Sequence, residues 1–527
     1  MSIYLSQNWN VRKPLARSRH GVVATQCRLA GEAGAGILAA GGNAVDAAVA
    51  TGLALATVEP WNSGLGGVGF MLVYMARARR VEVVDFGPIS PRGLDPKQYP
   101  LTGGVTQELF VWPQVAEDRN VHGPMSIAVP GHVDGMATAL ARFGTRRWQE
   151  VIAPAVALAE RGMPVDWFLT LKVALTASEL ARYDSTRAVW LPGGMPPATP
   201  PGTPLRYLQL TGLATTLKRL AQHGPRDFYE GGVARDIAED VKAAGGFLSA
   251  ADLAGYRARV VAPLEAAYRD AQLALAPGLS AGPSMKRAFE ALSQHSFRTG
   301  GPHADAFVAY ARVLREAYAE RLQSMGDMSD AADARAPGCT THFNVVDSDG
   351  NMVAVTQTLL SVFGSRYVLP STGILMNNGI FWFDPRPGQP NSIAPGKRPL
   401  TNMSPLLATR DGNAWFALGG SGGRKIFPAV FQIASMLIDH GLSLEDAFHR
   451  PRIDASGGEF VGVDPRHPAE VKQALAQQFP LQEVELTVQP NSYACPSAVL
   501  IDAGGERLGI ADVMSPWSAA VAQDEAA

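Results

Sequence analysis

The 527 residues are 46% hydrophobic and 18% charged with a formal net charge of −2, which allows a sizeable core and excludes the broadly basic surface that a nucleic-acid partner requires. No run of about 18 apolar residues marks a membrane span, and residues 1–10 lack the basic and apolar regions of a secretory signal, so a cytoplasmic protein without a membrane partner is expected. Cys27, Cys339 and Cys495 are too few and too scattered for a disulfide framework or a metal site, so no metal or cofactor is expected and a small molecule is the expected partner.

Length alone would allow several domains of about 150 residues each. The Pro/Gly-rich stretches 191–204 and 384–399 are short and lie between apolar runs, so one compact unit is expected. Residues 29–40 carry small apolar residues at helical spacing until Gly41-Gly42 stops them. Asn43, with Asp46 three positions on, forms a capping-box pattern that opens a helix through Thr57. Val58-Glu59-Pro60 closes that helix, and after a Gly-rich turn the apolar runs 70–74 and 81–86 read as strands. Helices dominate the middle, with apolar spacing over 215–222 and 234–244 and a Ser249-x-x-Asp252 cap. Beyond residue 340, the β-rich runs 343–346 and 352–358 flank Asp347-Ser348-Asp349-Gly350-Asn351 and predict a hairpin. Residues 415–418 read as a further strand, 419–423 as a glycine turn and 426–440 as a long apolar helix. No internal repeat is visible.

Three small-residue motifs compete for the chemistry. Gly64-Leu65-Gly66-Gly67-Val68-Gly69 matches the dinucleotide fingerprint as a string. A helix precedes it and a strand follows, the reverse of what a pyrophosphate at a helix N-terminus needs, so it reads as a structural turn. Gly419-Gly420-Ser421-Gly422-Gly423 contains the G-x-S-x-G elbow of serine hydrolases between a strand and a helix, with Asp446 and His449, or Asp464 and His467, following as partners. The plainer role, which is preferred, is a backbone that approaches a ligand closely, the Gly422 and Gly423 amides forming an oxyanion hole. Cys339-Thr340-Thr341-His342 directly precedes the hairpin. If Ser348-Asp349-Gly350 is the hairpin loop, Thr340 lies opposite Thr358, where one hydroxyl can orient the other; a slip of one residue would undo this.

In order along the chain, Gly36-Ile37-Leu38-x-x-Gly41-Gly42-Asn43-Ala44-Val45-Asp46-Ala47, Gly66-Gly67-x-Gly69-Phe70, Thr340-Thr341-His342, Asp349-Gly350-Asn351, Arg398-Pro399-Leu400-x-x-Met403-Ser404-Pro405 and Gly422-Gly423 together resemble the γ-glutamyltransferases. The resemblance implies an α+β fold, the four-layer αββα sandwich of the N-terminal-nucleophile hydrolases. It also implies a proenzyme that cuts itself between Cys339 and Thr340. The large subunit (1–339) and small subunit (340–527) would then form one compact unit, and a dimer of such heterodimers is compatible with it. Thr340 would be the nucleophile, and its freed α-amine, with an ordinary pKa of about 8, the general base. Thr358 would hydrogen-bond the nucleophile, and Gly422 and Gly423 would be the oxyanion glycines.

The substrate pocket departs from the family pattern. Gly87 stands where the family has an arginine that clamps the glutamyl carboxylate. Leu360 replaces a polar residue, Gly379 and Trp382 replace a glutamine and an acid, and Thr401-Asn402 replaces a pair of serines. Each lost charge-assisted contact is worth about 1.5–3 kcal/mol, so a small acyl or dicarboxylic-type amide, oxamate-like, is expected in preference to glutathione. Cephalosporin acylases are other relatives with altered pockets. The connection 383–397 is too short for the lid loop of some members, which favours hydrolysis over transfer to an amine. Thr401 and Asn402 are expected to bind substrate, and Arg366 is a candidate replacement cation whose plainer place is the surface or a subunit interface. His342 is expected to pack behind the nucleophile, Lys397 and Arg398 to pair across subunits, and Trp61 and Trp382 to line an apolar pocket or the core. The alternatives are a true γ-glutamyltransferase with a modified pocket, a serine hydrolase using Ser421, and a binding protein that no longer turns over.

Overall fold

A computed structural model of the chain describes residues 11–106, 109–110, 112–298, 300–324, 339–489 and 492–525. The first ten residues, and with them the reading of the N-terminus, lie outside the described residues. Strands β1 (Ala16–Ser18) and β2 (Val22–Thr25) lead into helices α1 (Arg28–Ala39) and α2 (Ala44–Val58), then into strands β3 (Val68–Met75) and β4 (Arg80–Phe86). The helical middle includes α3 (His132–Phe143), α4 (Trp148–Arg161), α5 (Trp167–Leu175), α6 (Thr211–His223), α7 (Gly232–Ala243) and α8 (Ala250–Gly255). Strands β5 (Arg259–Val261), β6 (Leu264–Tyr268) and β7 (Ala271–Leu275) precede helices α9 (Gly282–Leu292) and α10 (Ala304–Ser324). The C-terminal part holds β8 (Cys339–Val346), β9 (Met352–Leu360), β10 (Leu406–Arg410), β11 (Asn413–Ser421), α11 (Ile426–Ile438), β12 (Cys495–Ile501), β13 (Arg507–Ala511) and β14 (Ala519–Ala522).

One seven-stranded sheet runs β14-β2-β8-β9-β3-β4-β5 and the other β1-β13-β12-β11-β10-β7-β6, with each neighbouring pair antiparallel. Side chains on successive strand residues alternate between faces. Val73, Phe343, Val345 and Val355 accordingly pack with the apolar residues of α1 and α2, while Val22, Leu72, Val346 and Ala354 pack with Leu407, Ala417 and Val499 of the other sheet. On the far side, Leu273, Phe416 and Leu418 meet Phe289, Tyr310 and Phe431 from α9, α10 and α11. The layers therefore follow the expected order of helix, sheet, sheet and helix. Both faces of each sheet are covered, which is why the strands read as unbroken apolar runs rather than alternating ones. β8 and β9 are buried along their whole lengths, so each polar side chain they carry needs a partner inside the protein.

α2 is buried at each of its fifteen positions and is held at its N-terminus by the predicted capping box. Asn43 Oδ1 accepts from the amides of Val45 and Asp46, and the Asp46 carboxylate accepts from the Asn43 amide. Asp46 further accepts from the amides of Thr145 and Arg146 and from the Thr145 hydroxyl, which ties the helix start to the loop before α4. α1 packs against α2 so closely that a Cβ on Gly34 would lie 2.2 Å from Thr51 Oγ1. Asp46→Ala strands these buried donors and is expected to cost about 3 kcal/mol, read as a lowered thermal unfolding midpoint; an unchanged midpoint would show that water replaces the carboxylate.

Candidate active site

The β8–β9 hairpin pairs Val346 with Met352 and keeps that register up to Thr341 with Gln357, the register expected from the loop. A bulge then intervenes, and Cys339 pairs with Leu360. Thr340 is therefore not in a regular cross-strand pair with Thr358, contrary to the expectation of a continuous ladder. An extra residue on one strand turns the bulged side chain without carrying it away, and the two hydroxyls still lie 3.2 Å apart. Thr340, His342 and Asn344 point between the sheets, whereas Cys339 and Thr341 point towards the helices.

Two hydroxyls converge on the carbonyl that precedes Thr340. Thr340 Oγ1 and Thr358 Oγ1 each lie 2.6 Å from the Cys339 oxygen. The Thr340 hydroxyl has one proton to share between that oxygen and Thr358. Thr358 Oγ1 in turn accepts from the Leu360 amide at 2.8 Å, which leaves its own proton for the carbonyl. Leu360 reaches this position with φ +85, a left-handed conformation that costs a β-carbon residue roughly 1–2 kcal/mol. The arrangement polarises the Cys339 carbonyl and places a hydroxyl beside it.

His342 lies behind Thr340 with no exposed surface. Its Nε2 meets Asn344 Oδ1 at 3.0 Å and its Nδ1 meets Thr356 Oγ1 at 2.8 Å, while Asn344 Nδ2 donates to the Ser497 carbonyl. These partners place the ring proton on Nε2 and make Nδ1 the acceptor. Burial pushes the imidazole pKa down to about 3, so the ring is neutral, packed and not a base. It fills the space over Gly419, where a Cβ would lie 2.2 Å from the ring.

That contact corrects the reading of residues 419–423 as a turn. Gly419, Gly420 and Ser421 continue β11 as strand, and only Gly422, at φ +133, and Gly423, at φ +59, turn the chain towards α11. Glycine is needed at 419 because the His342 ring comes too close for a side chain, and at 420 the β12 backbone leaves little room for one. Ser421 Oγ accepts from Gln26 Nε2 at 2.5 Å, and Gln26 follows β2 on the strand edge beside β8. Among the described residues no triad forms around Ser421. His449 lies between the Glu445 carbonyl and the Lys13 amide, and Asp464 is paired with Arg466.

The remaining predicted residues are distributed around this centre. Thr401 Oγ1 donates to the Leu279 carbonyl, and the buried Arg321 holds both the Thr401 carbonyl and Asn402 Oδ1. Arg366 does not lie on the surface: it is 3% exposed, donates to the Val121 and Gly364 carbonyls and lies 3.9 Å from Glu179, so it too joins residues on either side of Thr340. Arg398 pairs with Asp85 at 3.3 Å, so residues before and after Thr340 are joined as expected, and Lys397 donates to the Pro390 and Ser392 carbonyls. Leu360 and Trp382 share a buried apolar cluster with Phe110, Trp112 and Phe381. Trp61 lines a cavity of 220 Å³ on the helix side, together with Gln26 and Glu59. Among the described residues, no group of His, Cys, Asp and Glu suited to a metal occurs, and no helix is long and apolar enough to cross a membrane.

Sequence reasoning passed over Gln26, Arg321 and Glu59. Glu59 carried a signal: an acid closing an otherwise apolar helix opposes the helix dipole. Burial raises its carboxyl pKa to about 7.

A family model described as Gamma-glutamyltranspeptidase matches residues 30–336 and 328–522. The chain is 36% identical over 497 residues to the Acylase ACY 1 proenzyme of Pseudomonas sp. (strain SE83), spanning 88% of this chain and 87% of that protein. It is 32% identical over 489 residues to the Glutathione hydrolase proenzyme of Escherichia coli (strain K12), spanning 83% and 81%. The crystal structure of cephalosporin acylase from Bacillus halodurans superposes with a TM-score of 0.85 at 25% identity over 99% of both chains.

The neutral burial of His342 has a pH consequence. Its folded pKa lies below the ordinary value of 6.5, so its contribution to stability is complete above pH 6.5 and is lost as pH falls towards about 3. His132, lowered to about 4 by burial, adds in the same direction. The thermal midpoint is expected to fall as pH drops from 6.5 to 4, less steeply in His342→Gln; equal slopes would rule out this contribution.

Proposed function

The chain belongs to the gamma-glutamyltranspeptidase family, and from that premise we propose that it cuts itself before Thr340 and then hydrolyses an amide of a small acyl or dicarboxylic-type acid, with Thr340 as nucleophile. The observation that carries this reading is the Cys339 carbonyl, which accepts from the Thr340 and Thr358 hydroxyls at 2.6 Å each. Thr340 Oγ attacks the Cys339 carbonyl carbon, the Cys339–Thr340 C–N bond breaks, and the nitrogen takes up a proton. Water then hydrolyses the resulting ester, releasing a Cys339 carboxylate and restoring the Thr340 hydroxyl beside a free α-amine. That amine, with an ordinary pKa of about 8, removes the hydroxyl proton when a substrate amide is attacked. The acyl group passes to Thr340, the amine of the substrate departs with a proton, and water releases the acid. The Gly422 and Gly423 amides stabilise the oxyanion in this second reaction.

The acyl preference rests on what surrounds the site. Gly87, Leu360, Gly379 and Trp382 offer no charge to an α-amino acid head group, and Leu360 and Trp382 belong to an apolar cluster. Thr401 and Asn402, fixed by Arg321, are the substrate-binding residues in this reading. The similarity to a protein named as an acylase favours acyl-amide hydrolysis, and the similarity to a glutathione hydrolase keeps γ-glutamyl amides as the second reading.

On an SDS gel the wild type is expected to give two chains, the smaller beginning Thr-Thr-His-Phe, and Thr340→Ala a single inactive chain. Ser421→Ala is expected to keep activity within about tenfold, since its hydroxyl is not the nucleophile. Against a panel of amides, glutaryl or oxamate-type substrates should react at least about tenfold faster than γ-glutamyl ones, as one lost charge-assisted contact implies. An active but uncut chain, or loss of activity in Ser421→Ala alone, would overturn the assignment of Thr340.

A further inference from the structure

Thr340 faces the space between the sheets, but the two residues on either side of it face the helices, where one short turn after α2 meets both. The Cys339 thiol faces the Trp61 carbonyl and Asn62 Oδ1. Asn62 Nδ2 donates to Glu59 Oε1 at 2.6 Å, so the carboxylate orients the amide that meets Cys339. Thr341 lies close enough for its hydroxyl to draw the Glu59 pKa downward, and among the described residues neither Thr341 Oγ1 nor Glu59 Oε2 has a partner at hydrogen-bond distance. The same turn also fastens the strand that carries Thr358: the Leu359 amide donates to the Asn62 carbonyl and the Phe363 amide to the Trp61 carbonyl, both at 2.9 Å.

Building on the reading that the chain is cut before Thr340, we propose that Glu59 is a positioning residue for this cleavage, holding Cys339 through Asn62 and Thr341 directly so that the bond between Cys339 and Thr340 stays within reach of the Thr340 hydroxyl. Attack by a hydroxyl on its own residue's upstream carbonyl tolerates little misplacement, and an error of about 1 Å can cost about a hundredfold in rate. A bulge at Thr340 gives the local backbone freedom that an outside clamp must remove. Glu59 is the acid placed to do so, and its placement is unfavourable for folding. It is 4% exposed at the C-terminal end of a helix, where the dipole opposes a negative charge. The charged and titratable groups facing it are Lys172 from α5, which favours the carboxylate, and the neutral thiols of Cys27 and Cys339.

Two consequences separate this role from simple packing. The ionised carboxylate accepts from Asn62 and attracts the nearby Thr341 hydroxyl more strongly than the neutral acid does, so cleavage should accelerate as pH rises through about 7, where Glu59 loses its proton. Stability moves the other way. The folded pKa lies above the ordinary 4.5, so the folded state is penalised progressively from pH 4.5 up to about 7 and remains so above it.

The experiment follows cleavage of freshly purified precursor by SDS gel from pH 5.5 to 8.5 in the wild type, Glu59→Gln, Glu59→Ala and Thr341→Val, with N-terminal sequencing and thermal midpoints. Glu59→Ala is expected to slow cleavage by about a hundredfold and Glu59→Gln by about tenfold, the latter without an inflection near pH 7. The midpoint of Glu59→Gln should gain on the wild type between pH 5.5 and 8.5. Thr341→Val, which removes one hydroxyl and keeps the shape, should slow cleavage at an unchanged midpoint and decides the matter if the Glu59 variants do not fold. Cleavage of the Glu59 variants at the wild-type rate and pH profile, or of Thr341→Val at the wild-type rate, would overturn the positioning role. A wild type that is not cut before Thr340 would instead overturn the reading on which it rests.

Discussion

Two hydroxyls meeting one carbonyl oxygen in a buried place impose the constraint around which the centre of this molecule is arranged. The Cys339 oxygen, Thr340 Oγ1 and Thr358 Oγ1 lie on strands covered on both faces, where an unpartnered polar group costs about 1–3 kcal/mol. Each group is satisfied by the others, and the surrounding backbone is bent to keep them so. Leu360 adopts φ +85 and Phe363 and Arg366 adopt φ +58 and +54, three left-handed residues within one short segment that starts at the last residue of β9. Such conformations persist only where the surroundings over-determine them. Here the amides of Leu359 and Phe363 are held by the turn after α2, and Arg366 is enclosed by Val121, Gly364 and Glu179.

In the proposed reading, the same segment separates the reacting centre from the part that recognises substrate. Leu360 gives its amide to Thr358 and its side chain to the apolar cluster with Trp382 and Phe110. A change of side chain at this position alters the wall while leaving the amide in place. At Gly87 too the backbone is anchored by its own polar groups, its amide donating to Asp85 and its carbonyl accepting from Tyr256. Under that proposal, a site built in this way can exchange the charges that read a γ-glutamyl group for apolar surface without disturbing the Thr340–Thr358 pair. That would be the physical basis for the proposed combination of a Thr340–Thr358 pair with a wall that carries no carboxylate clamp.

Much of the scaffold was legible because it depends on short-range rules. The Asn43–Asp46 capping box, the Asp347–Asn351 hairpin turn and the register from Val346 to Thr341 follow from residues a few positions apart, and the structure bears them out. The strand–helix setting around Gly422 and Gly423 was legible for the same reason. Its start was misplaced, because the glycines at 419 and 420 answer to the His342 ring and the β12 backbone rather than to a turn.

By itself, then, the sequence determined the helix pair, the hairpin, the threonine at its first strand and the glycines beyond β11, since backbone propensity and hydrogen bonding act between near neighbours. Only the tertiary structure decided what surrounds Thr340. The bulge that breaks the ladder, the burial of Arg366, the grip of Arg321 on Thr401 and Asn402, and the Glu59–Asn62 turn beneath Cys339 join distant segments; Asn62 and Cys339 are 277 positions apart. No local pattern encodes such pairs, because they form only where the packing of helices on a fully covered sheet leaves polar groups that must find one another.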